Sequence, residues 1–179
     1  MLFEPTTPIE ELLQQAETIL KPWIAEEDIP DKEEESPLLL DYTERRIKLT
    51  GNGRSDVLDV NVTPDELLTA IETLLDHEWG YLATITGVDL GVEAGEIEVL
   101  YHFCHGAAVV TLVVKVSREN PVVPSICRLL PSTSFFEREL SEMFGITITN
   151  TPNTDHLFLP DDWPEGVYPL RKDFEMPAN

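Results

Sequence analysis

The sequence predicts an α+β protein: a small, mostly antiparallel sheet with helices packed on one face, an N-terminal helical extension and an irregular C-terminal tail. Three observations predict it. Runs rich in β-branched and aromatic residues crowd the second half and are punctuated by glycine. Helix starts are marked by Thr or Ser followed three residues later by Glu. The turns between the later strands are too short for a crossover, so those strands pair antiparallel.

The first element begins at Thr7-Pro8-Ile9-Glu10, a capping box with proline at the first helical position. Ile9, Leu12, Leu13, Ala16, Ile19 and Leu20 then recur at helical spacing until Pro22 stops the pattern. Ala25 to Pro37, "AEEDIPDKEEESP", is dominated by carboxylates and carries two prolines, which predicts a solvated linker. Gly51-Asn52-Gly53 reads as a turn. "DVLDVNV" from Asp56 alternates with period two and predicts a strand. Thr63-Pro64-Asp65-Glu66 repeats the capping box ahead of Leu67, Leu68, Ile71, Leu74 and Leu75. "YLATITGVDL", "EIEVLYHF" and "AAVVTLVVKV" are the next three strands. Gly91 and Gly95 bracket a hairpin between the first two, and Gly106 follows the second. A proline-bearing loop spans Ser117 to Pro131. A third helix opens at Ser134-Phe135-Phe136-Glu137 and stops at Gly145. The chain so divides into residues 1–40, a helix with an acidic linker; 41–150, the α+β body; and 151–179, an extended tail in which Pro169 favours extended backbone before it.

The 179 residues include 34 acidic and 12 basic side chains, a formal net charge of −22. That field repels phosphate backbones and anionic lipid headgroups and favours a basic protein surface, so neither nucleic acid nor membrane insertion is expected. The longest apolar run, around Ala107 to Val116, is about half a membrane span. Two cysteines without a C-x-x-C pair, and no signal-peptide pattern, predict a reducing, cytoplasmic setting.

Motifs for chemistry are sparse. Gly51-Asn52-Gly53 lacks the strand–loop–helix context of a phosphate loop, and there is no Gly-x-Ser-x-Gly elbow or His-Glu-x-x-His helix. His102-Phe103-Cys104-His105 has ligand-type side chains, but on a strand His102 and Cys104 face one way and His105 the other. Two cysteines cannot supply the four thiolates of an iron–sulfur cluster. No catalytic residue, cofactor or metal is expected.

The third helix is more informative. On a wheel of about 100° per residue, Phe136, Leu140, Met143 and Phe144 form one broad arc with Phe135 at its edge. Arg138, Ser141, Glu142 and Glu137 occupy or border the other side, with Glu137 accounted for by capping. Glu139 falls inside the apolar arc, where an ionised carboxylate needs a partner. A structural ion pair or an interface contact is expected: Arg171 or Lys172 reaches Glu139 on a tail folded back to the start of this helix, or these cations meet carboxylates of a partner. A free-standing enzyme using Glu139 or the His102/Cys104/His105 cluster is the competing reading.

"FFERELSEMFGI", Phe135 to Ile146, resembles the E-R-E-x-x-[DE]-M-[FY]-G-[IL] helix of the 30 kDa subunit family of respiratory complex I. "LFLPDDWPEGVYPLRKDF", Leu157 to Phe174, resembles that family's closing P-L-R-K-D segment, and "NPVVPSI" at Asn120 to Ile126 also agrees. The resemblance runs from about Trp79 to Phe174. It implies a non-catalytic, cofactor-free subunit of a peripheral electron-transfer arm, cytoplasmic and held at the membrane through its complex. The implied partners are a large hydrogenase-like subunit and iron–sulfur subunits. The motif positions implied as interface residues are Glu137, Arg138, Glu139, Glu142, Phe144 and Gly145 on the helix, then Trp163, Pro169, Leu170, Arg171, Lys172 and Asp173 on the tail. Two features depart from complex I members. The His-Pro-Asp-Leu-Arg-Arg type segment is replaced by Thr151-Pro152-Asn153-Thr154-Asp155-His156, and Tyr168 stands where His is common. "LPDDWPEGVYPLRKD" is similar to the equivalent domain of membrane-bound nickel–iron hydrogenases and formate hydrogenlyase, so the equivalent scaffold subunit of such a complex is the alternative.

Overall fold

The computed structural model describes residues 7–24 and 57–175. The acidic linker, the Gly51-Asn52-Gly53 turn and the boundary at residue 40 lie outside the described residues. In chain order the elements are α1 (Ile9–Ile19), β1 (Val57–Asn61), α2 (Leu67–Asp76), β2 (Tyr81–Gly91), β3 (Glu96–His105), β4 (Ala108–Ser117), β5 (Val122–Pro124), α3 (Ser134–Phe144) and β6 (Thr147–Thr149). The main sheet has the order β1-β4-β3-β2. Its β2–β3 and β3–β4 pairs are antiparallel, and β1 lies parallel to β4. This is the α+β class expected, with one parallel edge.

Register decides which face is the core. Ile85, Gly87 and Asp89 of β2 stand opposite Tyr101, Val99 and Ile97 of β3, which in turn face Leu112, Val114 and Val116 of β4. That face is buried almost throughout. α1 and α3 pack against the sheet, and Leu12, Leu13, Ala16 and Leu20 are core residues. The Nε1–H of buried Trp79 donates to Leu12 O at 3.0 Å, fastening α1 across 67 residues of sequence. The N-terminal helix is therefore part of the packed body. Among the described residues no helix is long and apolar enough to cross a membrane.

The three capping boxes fare differently. At Thr63 the Glu66 carboxylate accepts from the Thr63 N–H, as the motif predicts, and from the Thr63 hydroxyl, but α2 itself starts only at Leu67 and has no side-chain cap. α1 starts after Pro8 with no side-chain cap, and α3 starts at Ser134 with none either. Glu137 instead turns inward, to donors on the preceding loop. The loop from Ser117 to Pro131 also holds a strand that periodicity misses: β5 pairs in parallel with β6 over three residues each. Strands this short carry no readable alternation, and the partner lies far along the chain.

Candidate functional site

α3 is the hub of the molecule. Its Leu140 and Phe144 lie on the core side, and Gly87 of β2 lets them approach: a Cβ there would stand 2.6 Å from the Phe144 ring. Beyond that packing, the polar residues of α3 grip the segments before and after the helix.

Glu137 holds the preceding loop. It is 3% exposed and accepts hydrogen bonds from Ser125 Oγ at 2.8 Å, the Ile126 N–H at 2.7 Å and Cys127 Sγ at 3.1 Å. Burial, and then the nearby Glu137 carboxylate, raise the Cys127 thiol above its ordinary pKa despite donors at Thr133 and Ser125. It is a protonated structural donor rather than a nucleophile.

Arg138 and Glu142 hold the following segment. The Arg138 guanidinium donates to the carbonyls of Asp155 and His156. One turn on, Glu142 accepts from the N–H groups of Leu157 and Phe158 and from His156 Nδ1. Donor and acceptor at i and i+4 thus satisfy both kinds of backbone group on a chain that has no strand partner. Burial alone would raise the Glu142 pKa, but the backbone donors Phe158 and Leu157, then His156, outweigh it and hold the group below its usual range.

The C-terminal end of α3 is clasped by the tail. The Leu170 N–H donates to Met143 O at 3.1 Å and Arg171 Nε to Phe144 O at 2.8 Å, satisfying carbonyls that have no partner within the helix. A cation there also complements the helix dipole. Gly145 turns left-handed at φ 71°, and a Cβ there would stand 2.3 Å from Tyr168 Cζ, so only glycine admits that ring. Arg171 then lies over the Tyr168 ring, 4.5 Å from its centroid.

A third anchor is Asp89. Its carboxylate accepts from Arg118 Nε at 3.0 Å, from the Lys172 N–H at 2.9 Å and from the Gly91 N–H at 3.0 Å. Arg118 also binds Asp173, and Lys172 Nζ donates to Leu90 O. Burial works to raise the Asp89 pKa; Arg118 and the two backbone donors overcome it and hold the group below the ordinary 3.8. Trp163 closes the tail on itself by donating to Val167 O and stacking on Phe174. Between α3 and the tail lies a cleft of ≈ 370 Å³, lined by residues of both.

Several expectations need correction. Glu137 and Glu142, assigned to the outer side of the helix, are buried at 3% and 8% exposure. The wheel reading supposed one buried face, whereas α3 is covered by the body on one side and by residues 155–158 on another. Capping does not explain Glu137. Glu139, expected to be the buried acid, is only partly buried, and it has no hydrogen bond or ion pair among the described residues. The tail meets the end of α3, not its start, because the free carbonyls are there. The side chains of Arg171 and Lys172 bind carbonyls, and only the Lys172 backbone N–H meets a carboxylate, that of Asp89. Nor is the tail extended: the Arg171 N–H closes a turn onto Tyr168 O, with Pro169 at the position where proline favours a turn, and the Phe174 N–H closes another onto Arg171 O.

Asp89, Arg118, Ser125 and His156 were missed. Asp89 had a signal, since strand alternation puts it on the core face with Ile85 and Gly87, an unsuitable place for a lone acid. Ser125 lay within the "NPVVPSI" segment already noted, while Arg118 and His156 had no signal. Among the described residues, no three His, Cys, Asp or Glu side chains are grouped to hold a metal. His102 bonds Thr111 Oγ1 at 3.1 Å and His105 packs edge-on against Trp79.

The fold and site define an α+β body whose last helix is locked to its own C-terminal segment. The chain belongs to the family described as respiratory-chain NADH dehydrogenase, 30 Kd subunit, whose model matches residues 60–179. It is 37% identical over 126 residues to an NADH-quinone oxidoreductase subunit of Roseiflexus castenholzii, covering 68% of this chain and 71% of that one. It is 40% identical over 87 residues to the membrane-bound hydrogenase subunit beta of Pyrococcus furiosus, covering 48% and 50%. It is also 33% identical over 121 residues to formate hydrogenlyase subunit 5 of Escherichia coli, covering 66% of this chain but 21% of that longer one. A chain of the membrane-bound sulfane sulfur reductase, an archaeal respiratory membrane complex, shares the fold with a TM-score of 0.63 at 22% identity, covering 93% of this chain and 85% of that one. The protein is thus a subunit of a multi-subunit assembly of the complex I and hydrogenase kind.

Proposed function

We propose that the chain is a structural and assembly subunit of the peripheral electron-transfer arm of a complex I-type NADH:quinone oxidoreductase, docked through α3 and the tail on the large quinone-site subunit. It is cytoplasmic and held at the membrane by that complex. The observation that carries the reading is the use of the motif residues. Glu137, Arg138, Glu142, Gly145, Arg171 and Lys172 each bind or admit a segment of their own chain. A site built in this way presents a rigid surface rather than a reactive group. Electron transfer depends on cofactor spacing, so holding a neighbour rigid is function enough.

The alternative is the equivalent subunit of a membrane-bound nickel–iron hydrogenase or formate-hydrogenlyase-type complex. Tyr168 favours it: the ring on Gly145 and under Arg171 is a contact that a His at that position would make differently.

The test is to tag the chain in its host, extract membranes in mild detergent, and identify the co-purifying subunits. Loss of NADH:quinone activity in membranes lacking the chain supports the first reading, and loss of hydrogen chemistry the second. A chain that runs alone, or that turns over NADH or hydrogen in isolation, overturns both.

A further inference from the structure

Four charged residues of α3 lie in the stretch from Glu137 to Glu142, and three of them are used internally. Glu139 is not. The cations that could have reached it are engaged elsewhere, Arg138 on Asp155 and His156, Arg171 on Phe144 O, and Lys172 on Leu90 O. Phe135, one turn earlier in the same row, is 62% exposed. Met143, one turn later, is partly buried, and the backbone of Leu170, 53% exposed, is hydrogen-bonded to it. Phe135, Glu139 and Met143 stand at i, i+4 and i+8, a row of about 12 Å, and Leu170 extends it past the helix end.

We infer that this stripe is a docking surface for a protein segment presenting an arginine or lysine between apolar side chains, the cation meeting Glu139 and the apolar flanks covering Phe135 and Leu170. Two features of the molecule select that occupant. A carboxylate flanked by aromatic and aliphatic surface is complemented by a cation with apolar neighbours, and Glu139 has no cation of its own among the described residues. The chain's net charge of −22 steers a basic partner toward it and an acidic one away. The stripe is also stiff. The Leu170 N–H is tied to Met143 O, and the helix beneath is held by Arg138 and Glu142, so docking costs little ordering.

This inference rests on the reading of the chain as a subunit of a larger complex, and the experiment separates the two. A photo-crosslinking amino acid is placed at Phe135, Leu170 or, as a control, exposed Tyr81 at the far end of β2. Each version is expressed in the host with the rest of the complex. Crosslinks to another subunit from positions 135 and 170 but not 81, mapping beside an arginine or lysine, support the stripe. In parallel, Glu139→Arg lowers the amount of chain recovered with the complex by at least about tenfold, and Glu139→Gln by less, since a buried hydrogen-bonded charge pair loses most on charge reversal. Glu139→Arg is checked for folding on the purified chain, where an unchanged melting profile is expected because the side chain has no partner among the described residues. An intact complex with no crosslink from 135 or 170, or with full recovery of Glu139→Arg, overturns the stripe and leaves the subunit reading standing. A chain found outside any complex overturns both.

Discussion

Glu142→Gln is the sharpest single test of the clasp. One carboxylate oxygen accepts from His156 Nδ1 at 3.0 Å and from the Leu157 N–H, and the other accepts from the Phe158 N–H at 2.9 Å. Glutamine has one acceptor oxygen. Whichever way its amide is turned, the NH₂ faces a backbone N–H, leaving one partly buried donor unsatisfied at a cost of about 1–3 kcal/mol. The remaining bonds lose their charge assistance, a further loss of about 1 kcal/mol. The sum, about 3 kcal/mol, corresponds to roughly a 100-fold rise in local opening. The assay is amide hydrogen exchange on the purified chain, read at Leu157 and Phe158 against β3 amides as internal reference. Exchange at those two positions should accelerate by about two orders of magnitude while β3 stays protected. If it changes by less than about threefold, Glu142 does not hold the segment and the clasp account is wrong.

Further consequences follow from the same geometry. Asp89 and Glu142 both titrate below their ordinary values of 3.8 and 4.5, so each stabilises the clasp fully above its ordinary value and loses that contribution as pH falls through the lower folded one. Acid titration should therefore release the tail first, seen as a Trp163 fluorescence change; a tail signal that changes only with global unfolding contradicts it. Gly145→Ala places a methyl into the Tyr168 ring at a left-handed position and should cost about 2–4 kcal/mol in chemical denaturation. Adding Tyr168→Ala should relieve the clash but not the backbone strain, and full recovery would show that the φ angle does not matter. Trp79→Phe removes the donor to Leu12 O and should cost about 1–3 kcal/mol, with faster exchange in α1; unchanged α1 protection would rule out the staple. Arg171→Ala should leave the purified chain folded yet impair its incorporation into the complex, and full incorporation would make the tail dispensable.

Much of the fold was legible in the sequence because its signals are local. The β-branched and aromatic runs "EIEVLYHF" and "AAVVTLVVKV", glycines at positions 91, 95 and 106, and the Gly145 stop depend on residues a few positions apart, and the strands and turns stand where these signals put them. β5 and β6 were not legible, since three residues cannot show a period. The roles within α3 were misread for a related reason. A helical wheel describes one helix against one partner, and Glu137 and Glu142 are buried by two different segments, one upstream and one downstream.

The sequence by itself determined the α+β class, the strand–helix order, the family motifs and the strongly acidic field, all consequences of spacing and composition. Only the tertiary structure decided what the motif residues do. Hydrogen bonds such as Glu142 to Phe158, Arg171 to Phe144 and Asp89 to Lys172 join groups as far as 83 residues apart. Their partners are mostly backbone N–H and C=O groups, which every residue carries and no sequence pattern marks. Tertiary structure also left Glu139 without an internal partner among the described residues, because the nearby cations were drawn to the free carbonyls at the helix end and along the returning chain.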